Sequence, residues 1–118
     1  MWKSVLFTLF LVATLSVVTV VGRTCLSCVF DSLEKPDTDC LRSLNSVPNT
    51  TCENYCGIER KDYINAEGRS DIIHFERKCF TQEENSEFQV GTYRYYYISC
   101  DIDRCNIGYT SPDLHLSP

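Results

Sequence analysis

Histidine is scarce in this chain, with only His74 and His115 present, and basic residues are outnumbered: 11 Lys and Arg stand against 16 Asp and Glu, for a net charge of −5. That acidic balance excludes nucleic acid as a partner, because phosphates need a clustered Lys/Arg face. It also excludes a cationic peptide that attacks anionic membranes. Beyond residue 22 no stretch keeps helical periodicity over three turns, and there is no internal repeat or low-complexity tract. A helical architecture is therefore not expected. At 118 residues the chain has room for one domain, and its 43% hydrophobic content is enough for a small core rather than wholesale disorder.

The first segment, MWKSVLFTLFLVATLSVVTVVG, places Lys3 ahead of an uncharged apolar run from Val5 to Val21, with Val20 and Gly22 as small residues before a cleavage point. This is the pattern of a secretory signal over residues 1–22, cut after Gly22. An uncleaved anchor is the rival reading, but Cys25 follows almost at once and a stapled fold cannot begin in lipid. The expected location is secreted and extracellular.

What the remainder has in quantity is cysteine: Cys25, Cys28, Cys40, Cys52, Cys56, Cys79, Cys100 and Cys105. In a short chain bound for an oxidising compartment this density implies a disulfide scaffold. Cys25-Leu-Ser-Cys28 and Cys52-Glu-Asn-Tyr-Cys56 have spacings that could grip zinc, but zinc needs reduced thiolates. Thioredoxin-type chemistry at Cys25 and Cys28 lacks its surrounding βαβ pattern.

Between the cysteines the pattern is that of strands. Residues 29–51 are polar, with turns expected at Lys35-Pro36-Asp37 and Val47-Pro48-Asn49. Residues 57–64 and 71–77 read as two strands of a hairpin joined by Asn65-Ala66-Glu67-Gly68-Arg69-Ser70. The stretch after Cys79 begins acidic at 82–87, continues through Phe88-Gln89-Val90, breaks at Gly91 and ends in a β-branched, aromatic run from Thr92 to Ser99. Period two puts Tyr93, Tyr95 and Tyr97 on one face of that strand and Arg94, Tyr96 and Ile98 on the other. The expected class is small, disulfide-rich and all-β.

The order of the cysteines, from Cys25-x2-Cys28 to the ending Cys100-Asp-Ile-Asp-Arg-Cys105-Asn106, resembles the three-finger family. That family takes in the lymphocyte antigen six and urokinase receptor (uPAR) domains and the snake toxins, with the insect sleepless/quiver-type proteins as a candidate subgroup. The resemblance spans residues 25–106. It implies a fold of three hairpin fingers rising from a cysteine-knotted palm over residues 23–106, followed by a flexible tail over 107–118. It further implies the pairs Cys25–Cys56, Cys28–Cys40, Cys52–Cys79 and Cys100–Cys105, and an Asn106 that ties the chain end onto the palm. Loop-closure entropy makes each such bridge worth about 2 to 4 kcal/mol. The chain departs from many members in having Ser99 before Cys100 and no cysteine in 80–98, so the third finger is expected to be unstapled. Family members are commonly held by a glycolipid anchor. Residues 107–118 include Asp113, His115 and two prolines, and no such anchor is expected.

Catalysis finds little support. His74 lies mid-strand, where a histidine is usually a surface or cross-strand residue, and His115 lies in the tail. A phospholipase or a ribonuclease would need a histidine environment that neither supplies. Glu83, Glu84, Glu87, Asp101 and Asp103 read as solvated charge rather than an acid/base pair. No cofactor and no metal is expected.

Binding is the better reading. Tyr63, Ile64 and Arg69 near the second-finger tip, and Tyr93, Tyr95 and Tyr97 in the third, are candidate partner-binding residues, since Tyr and Arg often anchor interfaces. The bland alternatives are a tyrosine row that packs on its neighbours and a solvated turn. Asn49-Thr50-Thr51 is an N-glycosylation sequon expected in a polar loop. Together these lead to the expectation of a monomeric, secreted, non-enzymatic protein that modulates a membrane receptor or ion channel through its ectodomain. The alternative is a soluble extracellular ligand or inhibitor of another secreted protein.

Overall fold

The computed structural model describes residues 22–110; the expected signal segment up to residue 21 and the tail over 111–118 lie outside the described residues. Seven strands dominate. They are β1 (Arg23–Leu26), β2 (Cys28–Asp31), β3 (Asn49–Cys52), β4 (Tyr55–Ile64), β5 (Ser70–Phe80), β6 (Asn85–Val90) and β7 (Tyr93–Cys100), with a single helical turn α1 (Asp39–Arg42) and a 3-10 turn at Leu44–Ser46. β1 and β3 form a two-stranded antiparallel sheet. The other five make one sheet in the order β2-β5-β4-β7-β6, and every neighbouring pair in it is antiparallel. The protein is thus small, mostly β and disulfide-rich.

The second hairpin is longer than the sequence pattern indicates, because Tyr55 pairs with Phe80 and Ile64 with Ser70. Its turn is closed by Asn65, whose carbonyl accepts from Gly68 N and whose side-chain oxygen accepts from the amides of Glu67 and Arg69. Gly68 sits at φ +82°, a conformation open to glycine at no steric cost. A bulge opposite Lys61 and Asp62 leaves Ile73 unpaired with β4, and its carbonyl is taken up by the Ser32 amide at 2.9 Å. The third hairpin turns on Gly91 and Thr92, with Gly91 at φ +61°, and Val90 pairs directly with Tyr93.

Three expectations for the polar stretches need correction. Residues 29–51 are not only turns. They contribute part of β2, α1 and β3, because Phe30 buries against Phe75 and Cys40 is drawn onto the sheet by its bridge to Cys28. Val47-Pro48-Asn49 is not a turn either. Val47 is buried and extended at φ −81°, ψ 128°, as a residue before proline prefers, and leads into β3. The sequon Asn49-Thr50-Thr51 accordingly lies in that strand and not in a loop.

The disulfides join Cys25 to Cys56, Cys28 to Cys40, Cys52 to Cys79 and Cys100 to Cys105, the same pairs that the resemblance implies, across sequence separations of 31, 12, 27 and 5 residues. Cys25, Cys52 and Cys56 form one buried cluster, with Cys100 and Cys105 packed against it. Asn106 closes this end. Its side-chain amide donates to the Leu26 and Gly57 carbonyls at 2.9 and 3.2 Å, and its oxygen accepts from Leu26 N at 2.9 Å. Gly57 is needed for close approach, because a Cβ there would meet the Phe80 ring at 2.3 Å.

The second cluster lies on one face of the large sheet and consists of Phe30, Cys40, Ile58, Phe75, Tyr96 and Ile98. Alternation assigns these, with Arg60, Asp62 and Arg77, to a closed face. Arg60 makes a bidentate pair with Asp62, both contacts 2.7 Å, and stacks over Tyr96 at 4.7 Å. Arg77 stacks over Phe75 at 4.7 Å and donates to the Cys40 and Asn106 carbonyls. Burial pushes its guanidinium down to about 10, which leaves it charged at neutral pH. The packed chain runs past Asn106: Arg60 also donates to the Tyr109 carbonyl at 2.8 Å, and the Tyr109 side chain rests against the core.

Candidate interaction surface

The opposite, open face of the five-stranded sheet gathers most of the residues singled out as partner-binding. Direct cross-strand pairs share a face, so Tyr63 and Tyr93 stand together, as do Phe88 with Tyr95 and Ser86 with Tyr97. Tyr63 and Tyr93 meet edge to face at 6.0 Å between ring centroids. Phe88 stacks on Tyr95 at 5.2 Å and on Tyr97 at 6.0 Å. The Lys61 ammonium lies over Tyr93 at 4.4 Å and near Tyr95 at 5.6 Å. The result is an aromatic ladder shared by the second and third hairpins, a Tyr63–Tyr93 pair and a Phe88–Tyr95–Tyr97 stack bridged by the Lys61 ammonium.

Its members are unequally open. Tyr63 is 40% exposed, Tyr93 38% and Phe88 45%, whereas Tyr95 and Tyr97 are half-buried by their neighbours. The bland reading, a tyrosine row packed on adjacent strands, thus describes Tyr95 and Tyr97. The distal pair and Phe88 present ring surface outward. Burial pushes the Tyr97 phenol up, and the nearby carboxylates of Glu59 and Glu84 push it in the same direction.

Ile64 and Arg69 are placed differently. Ile64 is half-buried at the end of β4, with its amide donating to Thr92 O at 2.7 Å, so it joins the second hairpin to the third. Arg69 is exposed in the turn beyond the ladder. Asn49 is exposed at the far side of the molecule from that turn, and its side-chain oxygen accepts from Arg104 at 2.7 Å.

Sequence reasoning missed Phe88, Val90 and Lys61. The signal was available: 86, 88 and 90 alternate in the same way as 93, 95 and 97, and a two-residue turn at Gly91 and Thr92 fixes which residues face each other. The sequence reading took His74 for a surface or cross-strand residue and did not see its partner on β2. In the structure His74 Nδ1 lies 3.1 Å from Asp31 Oδ2. The Asp31 carboxyl is pulled down to about 2, first by the Glu34 amide, then by His74 and the Leu33 amide. Of the acidic residues read as solvated charge, Glu87 pairs with Arg94 at 3.8 Å and Asp103 accepts from Thr24 N at 2.9 Å.

No described helix is long and apolar enough to cross a membrane. The four disulfides are the usage of a chain that matures in an oxidising compartment. A comparison with protein-family models, curated proteins and solved structures finds no match to this chain.

Proposed function

We propose that this is an extracellular three-finger protein that binds the ectodomain of a membrane receptor or ion channel through the open face of its second and third hairpins, and modulates signalling. The fold part of the proposal is supported by three excursions from one disulfide-rich end. The first leaves at Leu26 and returns at Asn49, the second is β4–β5 and the third β6–β7. The side-chain tie of Asn106 to Leu26 and Gly57 supports it as well.

The binding part rests on one observation, the aromatic ladder of Tyr63 with Tyr93 and of Phe88 with Tyr95 and Tyr97, bridged by Lys61 on the open sheet face. Rigid aromatic surface of this kind carries large contact area at low conformational cost. Arg69 at the tip adds a charged contact beside it. A sugar on Asn49 would shield the first excursion and leave this face free.

Cell-surface capture tests the proposal. The oxidised, purified chain is cross-linked to live cells and the captured proteins are identified by mass spectrometry. Recovery of a receptor or channel, abolished by Arg69→Glu or Tyr63→Ala with the fold intact, is the expected result. Recovery of soluble proteins alone would transfer the reading to a ligand or inhibitor of another secreted protein. Attachment untouched by either substitution would overturn the assigned face.

A further inference from the structure

The charged half of the open face contains an arrangement that the ladder does not use. Glu59 on β4 and Glu76 on β5 are a direct cross-strand pair, and both carboxylates are half-buried. Like charges placed opposite each other destabilise a sheet unless a cation stands between them. His74 lies two residues from Glu76 on the same face of β5. One donor atom from each of Glu59, His74 and Glu76 lies within 4.8 Å of the other two.

The cations nearby answer only part of this charge. Lys78 Nζ contacts Glu59 Oε2 at 3.1 Å, and those carboxylates raise its ammonium despite partial burial. Lys61, the cross-strand neighbour of His74, is turned away over the Tyr93 and Tyr95 rings. Val29 is the β2 neighbour of Glu76 and contributes no charge. Asp31, from β2, holds His74 Nδ1 on the far side of the ring. With Nδ1–H donating to Asp31, Nε2 carries the free lone pair, and it points toward Glu76 Oε1 at 3.6 Å. A lone pair facing a carboxylate is an unfavourable contact that either a proton or a metal ion between the two would relieve.

We propose that Glu59, His74 and Glu76 form a binding site for a divalent transition metal of the zinc type, with Asp31 as the residue that orients the imidazole. A carboxylate on the second ring nitrogen of a ligating histidine fixes its tautomer and raises its basicity. One imidazole with two carboxylates is a donor set that suits zinc better than calcium or magnesium, which take oxygen alone. Ligands about 2.0–2.2 Å from zinc stand roughly 3–4 Å apart, so closing the site needs a movement on the order of 1 Å in half-buried side chains. Water completes the coordination on the solvent side. Lys78 competes for Glu59 and must leave it when the metal enters.

Zinc chloride titrated into the full oxidised chain, followed by calorimetry, tests the site, and cobalt(II) provides a visible absorption band that reports coordination. One equivalent should bind. Glu76→Gln and His74→Ala should weaken binding about tenfold or more, and Asp31→Asn by about 10- to 100-fold, as loss of an orienting carboxylate does. Lys78→Met removes the competing ammonium and should tighten binding, a gain that a merely adventitious ion would not show. His115→Ala should change nothing. Should His74→Ala fail to fold, the charge-only changes Glu76→Gln and Lys78→Met still decide. Absence of zinc binding at millimolar concentration, binding indifferent to Glu76→Gln, or binding lost with His115→Ala would each overturn the site.

Discussion

The two faces of the five-stranded sheet use the same strands in opposite ways. The closed face buries two arginines and an aspartate, and the open face leaves tyrosine and phenylalanine rings in contact with solvent. Normally the aromatic residues would go inside. Here the guanidiniums are accommodated because each sits over a ring, 4.7 Å from its centroid, and finds carbonyl acceptors, from Cys40, Asn106 and Tyr109. The covering segment from Asn106 to Tyr109 therefore supplies acceptors more than apolar area. The closed face satisfies most of its buried charge internally, with Arg77 Nη2 and the Tyr96 hydroxyl left without a hydrogen-bond partner. The open face keeps apolar surface exposed at Tyr63, Phe88, Val90 and Tyr93, and this is the surface proposed above to meet a partner.

The comparison can be broken most forcefully from the closed side. Asp62→Ala leaves Arg60 buried without its carboxylate and should cost about 3–5 kcal/mol, read as a drop in the chemical denaturation midpoint. Adding Arg60→Met should restore much of that loss, because a buried pair contributes little net stability over apolar packing. A fully neutral Asp62→Ala would show that the pair is solvated in solution.

Next in size is Asn106→Ala, which orphans the Leu26 amide and carbonyl and the Gly57 carbonyl in a buried setting. A loss of about 2–3 kcal/mol is expected, measured by the same denaturation. Its disulfides should keep the chain compact.

At the side of the open face, Asp31 sharpens the distinction by acid titration. Its carboxyl has a folded value of about 2 against an ordinary 3.8. A depressed folded value means stability that is present above about 4 and lost as pH falls toward about 2. Thermal unfolding recorded across that window should show the loss in the parent and a flatter profile in Asp31→Asn. The smallest effect on the fold is expected from Tyr93→Ala, under about 1 kcal/mol, since the residue is 38% exposed and its ring partner Tyr63 is exposed too. The same change should reduce attachment to the captured partner by about tenfold or more, as removal of an interface anchor does.

How much of this was legible in the sequence depends on which interaction decides each element. The four disulfides follow from cysteine order once the resemblance is admitted, and the β4–β5 hairpin follows from its turn chemistry and β-branched flanks. The alternation of β7 separates Tyr93, Tyr95 and Tyr97 from Tyr96 and Ile98, as the structure has it. Burial of Arg60, Asp62 and Arg77 was not legible. Charged residues on a strand read as solvated, and their burial is offset by the Arg60–Asp62 pair and by carbonyls of Cys40, Asn106 and Tyr109 brought from distant parts of the chain. β3 was hidden for a similar reason. Asn49-Thr50-Thr51 is polar and exposed, and it is held as a strand by pairing with β1 between two disulfides.

Of the candidate site, the rows of tyrosines could be named from spacing alone. Their separation into a packed pair and an open pair could not, because it depends on where Phe88 and Lys61 come to rest. The Glu59 and Glu76 pairing was invisible for the same reason, since it follows from the register of β4 against β5 across the whole hairpin rather than from local sequence.

The central claim is that the open face, and not the first excursion, meets the partner. The most direct measurement compares Phe88→Ala/Tyr93→Ala with Leu33→Ala for binding to the protein recovered by cell-surface capture. Leu33 is 91% exposed near the end of β2 and is the control for exposed apolar surface outside the ladder. The account predicts that the double variant loses binding while Leu33→Ala binds as the parent does. Loss on Leu33→Ala with the double variant unaffected would contradict it and move the contact to the first excursion.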